Sequence, residues 1–192
     1  MKHGAITYKT KRSLGQALKK ILRNKDIAHI SISEVTEKAG VNRKTFYYHF
    51  TDIYDLMRWT FEDDTTTVVK NMQFSTDYRQ VIKKTLDYLE ENAAPIRGVM
   101  DSQLRNDVRH YLYVGLYDAF DQTIDEIAKQ KKIFIEEEYR EYISMFSAEA
   151  VAGILFHWIA EPEKEERAKV EKYLVRIFRV TIENLLTEET KH

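Results

Sequence analysis

Cysteine is absent from the chain, which excludes disulfides, thiolate metal sites and cysteine nucleophiles together and suits a reducing cytoplasm. Proline and glycine are scarce, at two and six in 192 residues, so long helices can run without interruption. Few segments show the sustained valine- and threonine-rich alternation of strands. An all-α protein is expected. The longest apolar run, around Ala150 to Ala160, is too short for a bilayer, and the N-terminus lacks an apolar signal core, so neither secretion nor a membrane span is expected.

Signatures of catalysis are missing as well. There is no Gly-x-Ser-x-Gly elbow, no phosphate-binding glycine loop and no His-Glu-x-x-His pair, and hence no expected catalytic residue, cofactor or enzyme activity. Asp107 with His110, and His157 with Glu161, lie one helical turn apart. Two ligands are too few for a metal, and solvated or hydrogen-bonded side chains are the better reading, so no metal site is expected.

What the chain does contain is apolar residues at 43% and charged residues at 32%, the balance of an ordered globular protein. Its formal net charge of −1 hides a polarity along the chain. Residues 1–50 hold 11 basic and 3 acidic side chains, a balance of +8, and the remainder hold 19 and 28, a balance of −9. A basic N-terminal segment is the footprint of a polyanion partner.

Helix signals divide the chain repeatedly. A first helix is expected from about Tyr8 to Asn24, with Leu14, Ala17, Leu18, Ile21 and Leu22 as its apolar stripe and Lys9, Lys11, Arg12, Lys19, Lys20 and Arg23 on its other face. In "SISEVTEKAG", Ser31 and Glu34 have the spacing of a capping box, and Gly40 suits the left-handed turn that stops a helix. Asn42 can cap a short third helix from Arg43 to about His49, and Asp52 a long fourth from Ile53 to about residue 72. Further helices are expected over Asp77 to Glu91, shortly after Pro95, and over Ser102 to Lys131, Glu136 to Ala160 and Glu163 to Leu186.

Two short helices joined by a tight glycine turn, with a packing helix before them, have the layout of a helix-turn-helix. On the third helix Val41 and Phe46 would fix the element, leaving Arg43, Lys44, Thr45, Tyr47, Tyr48 and His49 for other surfaces. Arginine and lysine suit guanine acceptors or phosphates, the threonine methyl suits thymine, and tyrosine hydroxyls reach backbone oxygens. Core packing is the other reading for one of the two adjacent tyrosines, and an internal hydrogen bond the other reading for His49.

The stretch "AGVNRKTFYYHFTDIYDL" resembles the helix-turn-helix signature of TetR-type (TetR/AcrR) bacterial transcriptional regulators. The likeness covers roughly the first 60 residues. It implies an all-α fold in which residues 1–56 form a three-helix DNA-binding domain. A long fourth helix would join this to a helical effector-binding and dimerisation domain over residues 57–192. Ser33, Asn42, Arg43, Lys44, Thr45, Tyr47, Tyr48 and His49 then occupy places that face DNA. Ile53 stands where many members carry a phosphate-contacting lysine. The segment "TFYYHFTDIYDLMRWTFEDD" further resembles a Firmicutes subgroup that includes activators of dihydroxyacetone kinase genes.

The resemblance also implies a cytoplasmic homodimer on a palindromic double-stranded DNA operator, controlled by a small-molecule effector or partner. Repression is the commoner family outcome. Activation, or a protein-binding adaptor without an effector, is the alternative. Tyrosines offer flat apolar area with an orienting hydroxyl, and Trp59, Tyr88, Met100, Tyr111 and Tyr117 are the candidates for effector contact. Val151, Leu155, Trp158 and Ile159 form one apolar stripe, and Val170, Leu174, Ile177 and Phe178 part of another; two copies could pair them in a four-helix interface. Otherwise these stripes cover the chain's own core.

Overall fold

The computed structural model describes residues 2–71, 78–161 and 166–188, with side chains placed for 5–64, 66–67, 78–161 and 166–181. Among the described residues there are nine α-helices and no strand. They are α1 (Lys2–Leu22), α2 (Ile32–Ala39), α3 (Arg43–His49), α4 (Ile53–Asn71), α5 (Tyr78–Glu91), α6 (Ala93–Arg97), α7 (Arg105–Lys131), α8 (Glu137–Ala160) and α9 (Arg167–Glu188). A 3-10 turn at Ile27–His29 and the early start of α1 had no sequence cue. The chain folds into two compact units, Met1–Asp64 with Asn92–Val108, and Thr65–Glu91 with Arg109–His192.

In the first unit, the apolar stripe of α1 is buried through Leu14, Ala17, Leu18 and Leu22, against Val35 of α2, Phe46 of α3, and Leu56, Met57 and Phe61 of α4. Apart from Ala17, each such side chain contributes about 1.5–3 kcal/mol through burial. At Gly15, α1 and α4 approach closely: a Cβ built there would lie 2.6 Å from Thr60 Oγ1 and 3.2 Å from its Cγ2. The same two helices are tied by Arg12 to Asp63 at 3.4 Å and by Lys19 to Asp64 at 2.6 Å. On the end of α1 sits α6, where the Ile27 amide donates to the Gly98 carbonyl at 3.1 Å and Ile96, Val99 and Leu104 are buried. Arg58 of α4 reaches Asp107 of α7 at 3.1 Å, so this carboxylate of the sequence-level metal pair is used in an ion pair.

The second unit buries Val81, Ile82 and Leu86 of α5, Phe120 and Ile124 of α7, Ile143, Val151, Leu155 and Ile159 of α8, and Val170, Leu174 and Phe178 of α9. Phe178 stacks on Phe120 with centroids 4.4 Å apart and meets Tyr78 at 5.0 Å. Arg167 fastens α9 to α5 through Asp87 and Glu90. By length and mean hydropathy α8 could cross a bilayer, but half of its most apolar window is buried inside the protein, as expected of a core helix.

This packing turns most of the two apolar stripes inward. Val151, Leu155, Trp158, Ile159, Val170, Leu174 and Phe178 are all covered by their own chain, whereas Ile177 is exposed, at 57%. A buried side chain has little area left to give a partner. Among the described residues, the large apolar side chains that α8 and α9 expose are Tyr142, Met145, Phe146, Ile154, Tyr173, Ile177 and Val180.

Gly15→Ala should lower stability by roughly 1 kcal/mol, because overpacking against Thr60 outweighs the gain of about 1 kcal/mol from replacing a helical glycine. In a Thr60→Ala background the clashing atoms are gone, leaving a Cβ contact of 3.4 Å. There the same Gly15→Ala change should stabilise. Urea denaturation of the four variants checks the reversal of sign; stabilisation in both backgrounds would mean that the helices stand farther apart.

Candidate nucleic-acid interface

Local chemistry fixes the two helices of the motif before any tertiary contact is considered. Ser31 caps α2: its hydroxyl oxygen accepts from the Glu34 amide at 3.3 Å, while Glu34 accepts from the Ser31 amide at 2.8 Å. Lys25 clamps the same carboxylate at 2.7 Å. α2 ends at Gly40, whose φ of 70° lies in the left-handed region that favours glycine. There the Gly40 amide donates to the Glu37 carbonyl and the Val41 amide to the Thr36 carbonyl, satisfying carbonyls at the helix end. Ser13 of α1 donates to the Ala39 carbonyl at 3.3 Å and steadies the turn.

Asn42 caps α3, its side-chain oxygen accepting from the Thr45 amide at 2.8 Å and the Thr45 hydroxyl at 3.1 Å. The helix is seated by Phe46 and Phe50, both buried, with Val41 half-buried before them. The rest of its surface faces outward. Arg43, Lys44, Tyr47 and Tyr48 are exposed, the tyrosines at 52% and 74%, and Thr45 and His49 are half-buried. Arg43 extends along Tyr47, with a guanidinium nitrogen 3.4 Å from the hydroxyl. Ser33 of α2 is exposed as well.

All eight residues singled out from the sequence thus belong to α2, α3 or the α3 cap, and the adjacent tyrosines both stay out of the core. Thr45 has a second task that sequence did not reveal, because its hydroxyl completes the Asn42 cap. A neutral imidazole is favoured at His49, where burial and then the Lys11 charge push its pKa below the usual histidine value. Uncharged, it can still donate one N–H to a phosphate oxygen.

Of the effector candidates, Trp59 and Met100 lie in the first unit, and Tyr88, Tyr111 and Tyr117 in the second. Met100 is buried. Trp59 meets the rings of Tyr8 and Phe50 at 6.1 and 5.9 Å, so it serves the packing of α1 and α4. Tyr117 is half-buried beside Tyr113, 6.1 Å between centroids, and its pKa is raised by burial and then by Asp121. A hollow of about 270 Å³ occurs elsewhere, at the α7–α8 connection, lined by Asp125, Lys129, Ile133, Phe134 and Arg140 among others. Among the described residues no cluster of three or more His, Asp or Glu could hold a metal.

The Lys25 hydrogen bond, then those from Ser31, lower the Glu34 pKa from 4.5 to about 2. A depressed carboxyl pKa stabilises the fold above pH 4.5, and the contribution disappears as pH falls from 4.5 through 2. Glu34→Gln should therefore be less stable than the parent at pH 5, and the gap should close towards pH 2. Denaturant midpoints followed by circular dichroism measure it; a gap that stays constant would show that the ionised cap contributes nothing.

Residues 16–58 match the family described as bacterial regulatory proteins, tetR family, and residues 76–180 match a family described as a transcriptional regulator C-terminal region, TetR_C_8. The chain is 22% identical over 154 residues, 80% of each protein, to the HTH-type dhaKLM operon transcriptional activator DhaS of Lactococcus lactis subsp. lactis (strain IL1403). Its fold is similar to a solved structure titled dihydroxyacetone kinase operon activator DhaS, with a TM-score of 0.77 at 20% identity, covering 91% of this chain and 96% of that one. It is also similar to a tetR-family transcriptional regulator from Streptomyces coelicolor, with a TM-score of 0.68 at 13% identity and coverage of 95% and 88%. With its helix-turn-helix and its C-terminal region both matched, the chain belongs to the TetR family of DNA-binding transcriptional regulators.

Proposed function

We propose that this regulator works in the cytoplasm as a homodimer on a two-fold symmetric operator, with α3 of each copy in a major groove. The observation that carries the reading is the outward face of α3: Arg43, Lys44, Tyr47 and Tyr48 are exposed on a helix held from behind by buried Phe46 and Phe50. Placed by its N-terminal residues, such a helix sets Arg43, Lys44 and Thr45 against base edges, and Tyr47, Tyr48 and His49 against the backbone. Residues 1–56 read DNA, and residues 57–192 dimerise and respond. The exposed apolar residues of α8 and α9, Phe146 and Ile177 foremost, support a dimer through these two helices.

Control enters through the C-terminal part. Half-buried Tyr88, Tyr111 and Tyr117 suit a small effector with an apolar body and a polar group; Trp59 and Met100 are already used in packing. Binding there would act through α4, changing the separation of the two α3 helices from the roughly 34 Å between successive major grooves. A coupling of about 1–3 kcal/mol is enough for a useful switch. The expectation of repression gives way to activation as the favoured sign, because the L. lactis relative and the similar solved structure are both named as operon activators. Selection of bound sites from random DNA, read with the flanking genes, identifies the operator. A reporter with and without the chain then gives the sign.

On the selected operator, Arg43→Ala should cost about 1–3 kcal/mol of specific binding and leave non-specific binding less affected. Equal losses on all DNA would remove α3 from the role of reader. Ile177→Asp should give a monomer in light scattering with weakened operator binding, since two half-sites must be held together. A charge at Phe178 should instead unfold the second unit, whose core it fills. A parent protein that is monomeric at micromolar concentration would defeat the dimer reading.

A further inference from the structure

We propose that Lys11 of α1 is a further DNA-backbone contact, a phosphate-binding ammonium held beside the end of α3 by the rings of Phe50 and Trp59. The inference rests on the DNA-binding reading above and adds a residue that the helix-turn-helix signature does not contain.

Two other cations of α1 are paired with carboxylates. Arg12 pairs with Asp63 and Lys19 with Asp64, both carboxylates on α4. Lys11 is held differently: its Nζ lies 4.6 Å from the Trp59 ring centroid and 5.1 Å from that of Phe50. The two rings are themselves 5.9 Å apart, and Tyr8 meets Trp59 edge-on. Ring faces attract an ammonium without cancelling its charge, and they leave N–H groups free to donate. A carboxylate partner would have spent both. The rings also restrict a long, rotamer-rich side chain, so less freedom remains to be lost on binding.

Position selects the ligand. Phe50 directly follows α3, and the Lys11 charge is felt at His49, where it helps to keep the imidazole neutral. Lys11 therefore extends the positive surface past the C-terminal end of the reading helix, where Tyr47, Tyr48 and His49 gather. A helix-turn-helix reads bases with the N-terminal part of its second helix, so the flank beside its C-terminal end meets sugar and phosphate. A compact point charge with three donors suits a phosphodiester oxygen and carries no base preference. Because Trp59 stands on α4, the contact also depends on where α4 lies.

The test measures binding to operator and to unrelated duplex DNA between 50 and 200 mM salt. For Lys11→Gln the slope of log affinity against log salt should be shallower by about 0.9, the value of one lost phosphate, on both DNAs. Lys11→Arg, which keeps the charge and stacks on rings, should restore the parent slope. Arg12→Gln, which removes a cation already paired, should leave the slope unchanged. A parent-like slope for Lys11→Gln while Arg43→Ala still weakens operator binding would overturn the assignment of Lys11 and leave the reading of α3 standing. If neither substitution weakens binding, both assignments fail.

Discussion

The close crossing of α1 and α4 at Gly15 and Thr60 is the constraint on which the DNA-binding unit depends. A missing side chain at Gly15 lets the two helices approach until Thr60 fills the space, and its hydroxyl is satisfied by donating to the Leu56 carbonyl at 2.7 Å. Once the axes are that close, Arg12 and Lys19 fall within reach of Asp63 and Asp64, and Tyr8 and Lys11 within reach of Trp59. Partly exposed ion pairs of this kind contribute little individually. Their value here is register: they fix α4 lengthwise against α1, and so fix what α4 presents to Phe50 and α3.

Charge is arranged in the same way. Cations and carboxylates are not spread evenly over the first unit. Acidic partners for α1 come from α4, whereas α3 contains no acidic residue. Helix α3 thus keeps Arg43 and Lys44 exposed, while α1 and α4 are stitched together by opposite charges. A balance of +8 over the first 50 residues therefore includes charge that is used internally, at Arg12, Lys19 and Lys25.

Most of the DNA-binding motif was legible because its determinants are local. The capping box of Ser31 and Glu34, the left-handed Gly40 and the Asn42 cap each operate within four residues, and a spacing rule can find them. The start of α1 was not legible, since the residues before Tyr8 present no cap. Nor was the role of Trp59, whose ring partners Tyr8 and Phe50 come from α1 and from the α3 cap; aromatic content marked it as notable and could not say for what. Lys11 was visible only as one of several cations on a basic helix face. What separates it from Arg12 and Lys19 is the chemistry of partners distant in sequence.

The last two helices show where periodicity itself fails. On α9 the sets Val170, Leu174, Phe178 and Tyr173, Ile177, Val180 each recur at helical spacing, so apolar character marks two faces of one helix. α8 is similar, with Leu155 inward and Ile154 outward on adjacent positions. A helix with a single apolar stripe has one way to bury it, but a helix with two must give one to its own unit. Sequence sees both faces as equal. The choice is made by shape: Phe178 stacks on Phe120 and meets Tyr78, whereas Ile177, one position along the helix, is left exposed. The face left over is consequently defined by exclusion, as the apolar surface that the core of its own unit does not use.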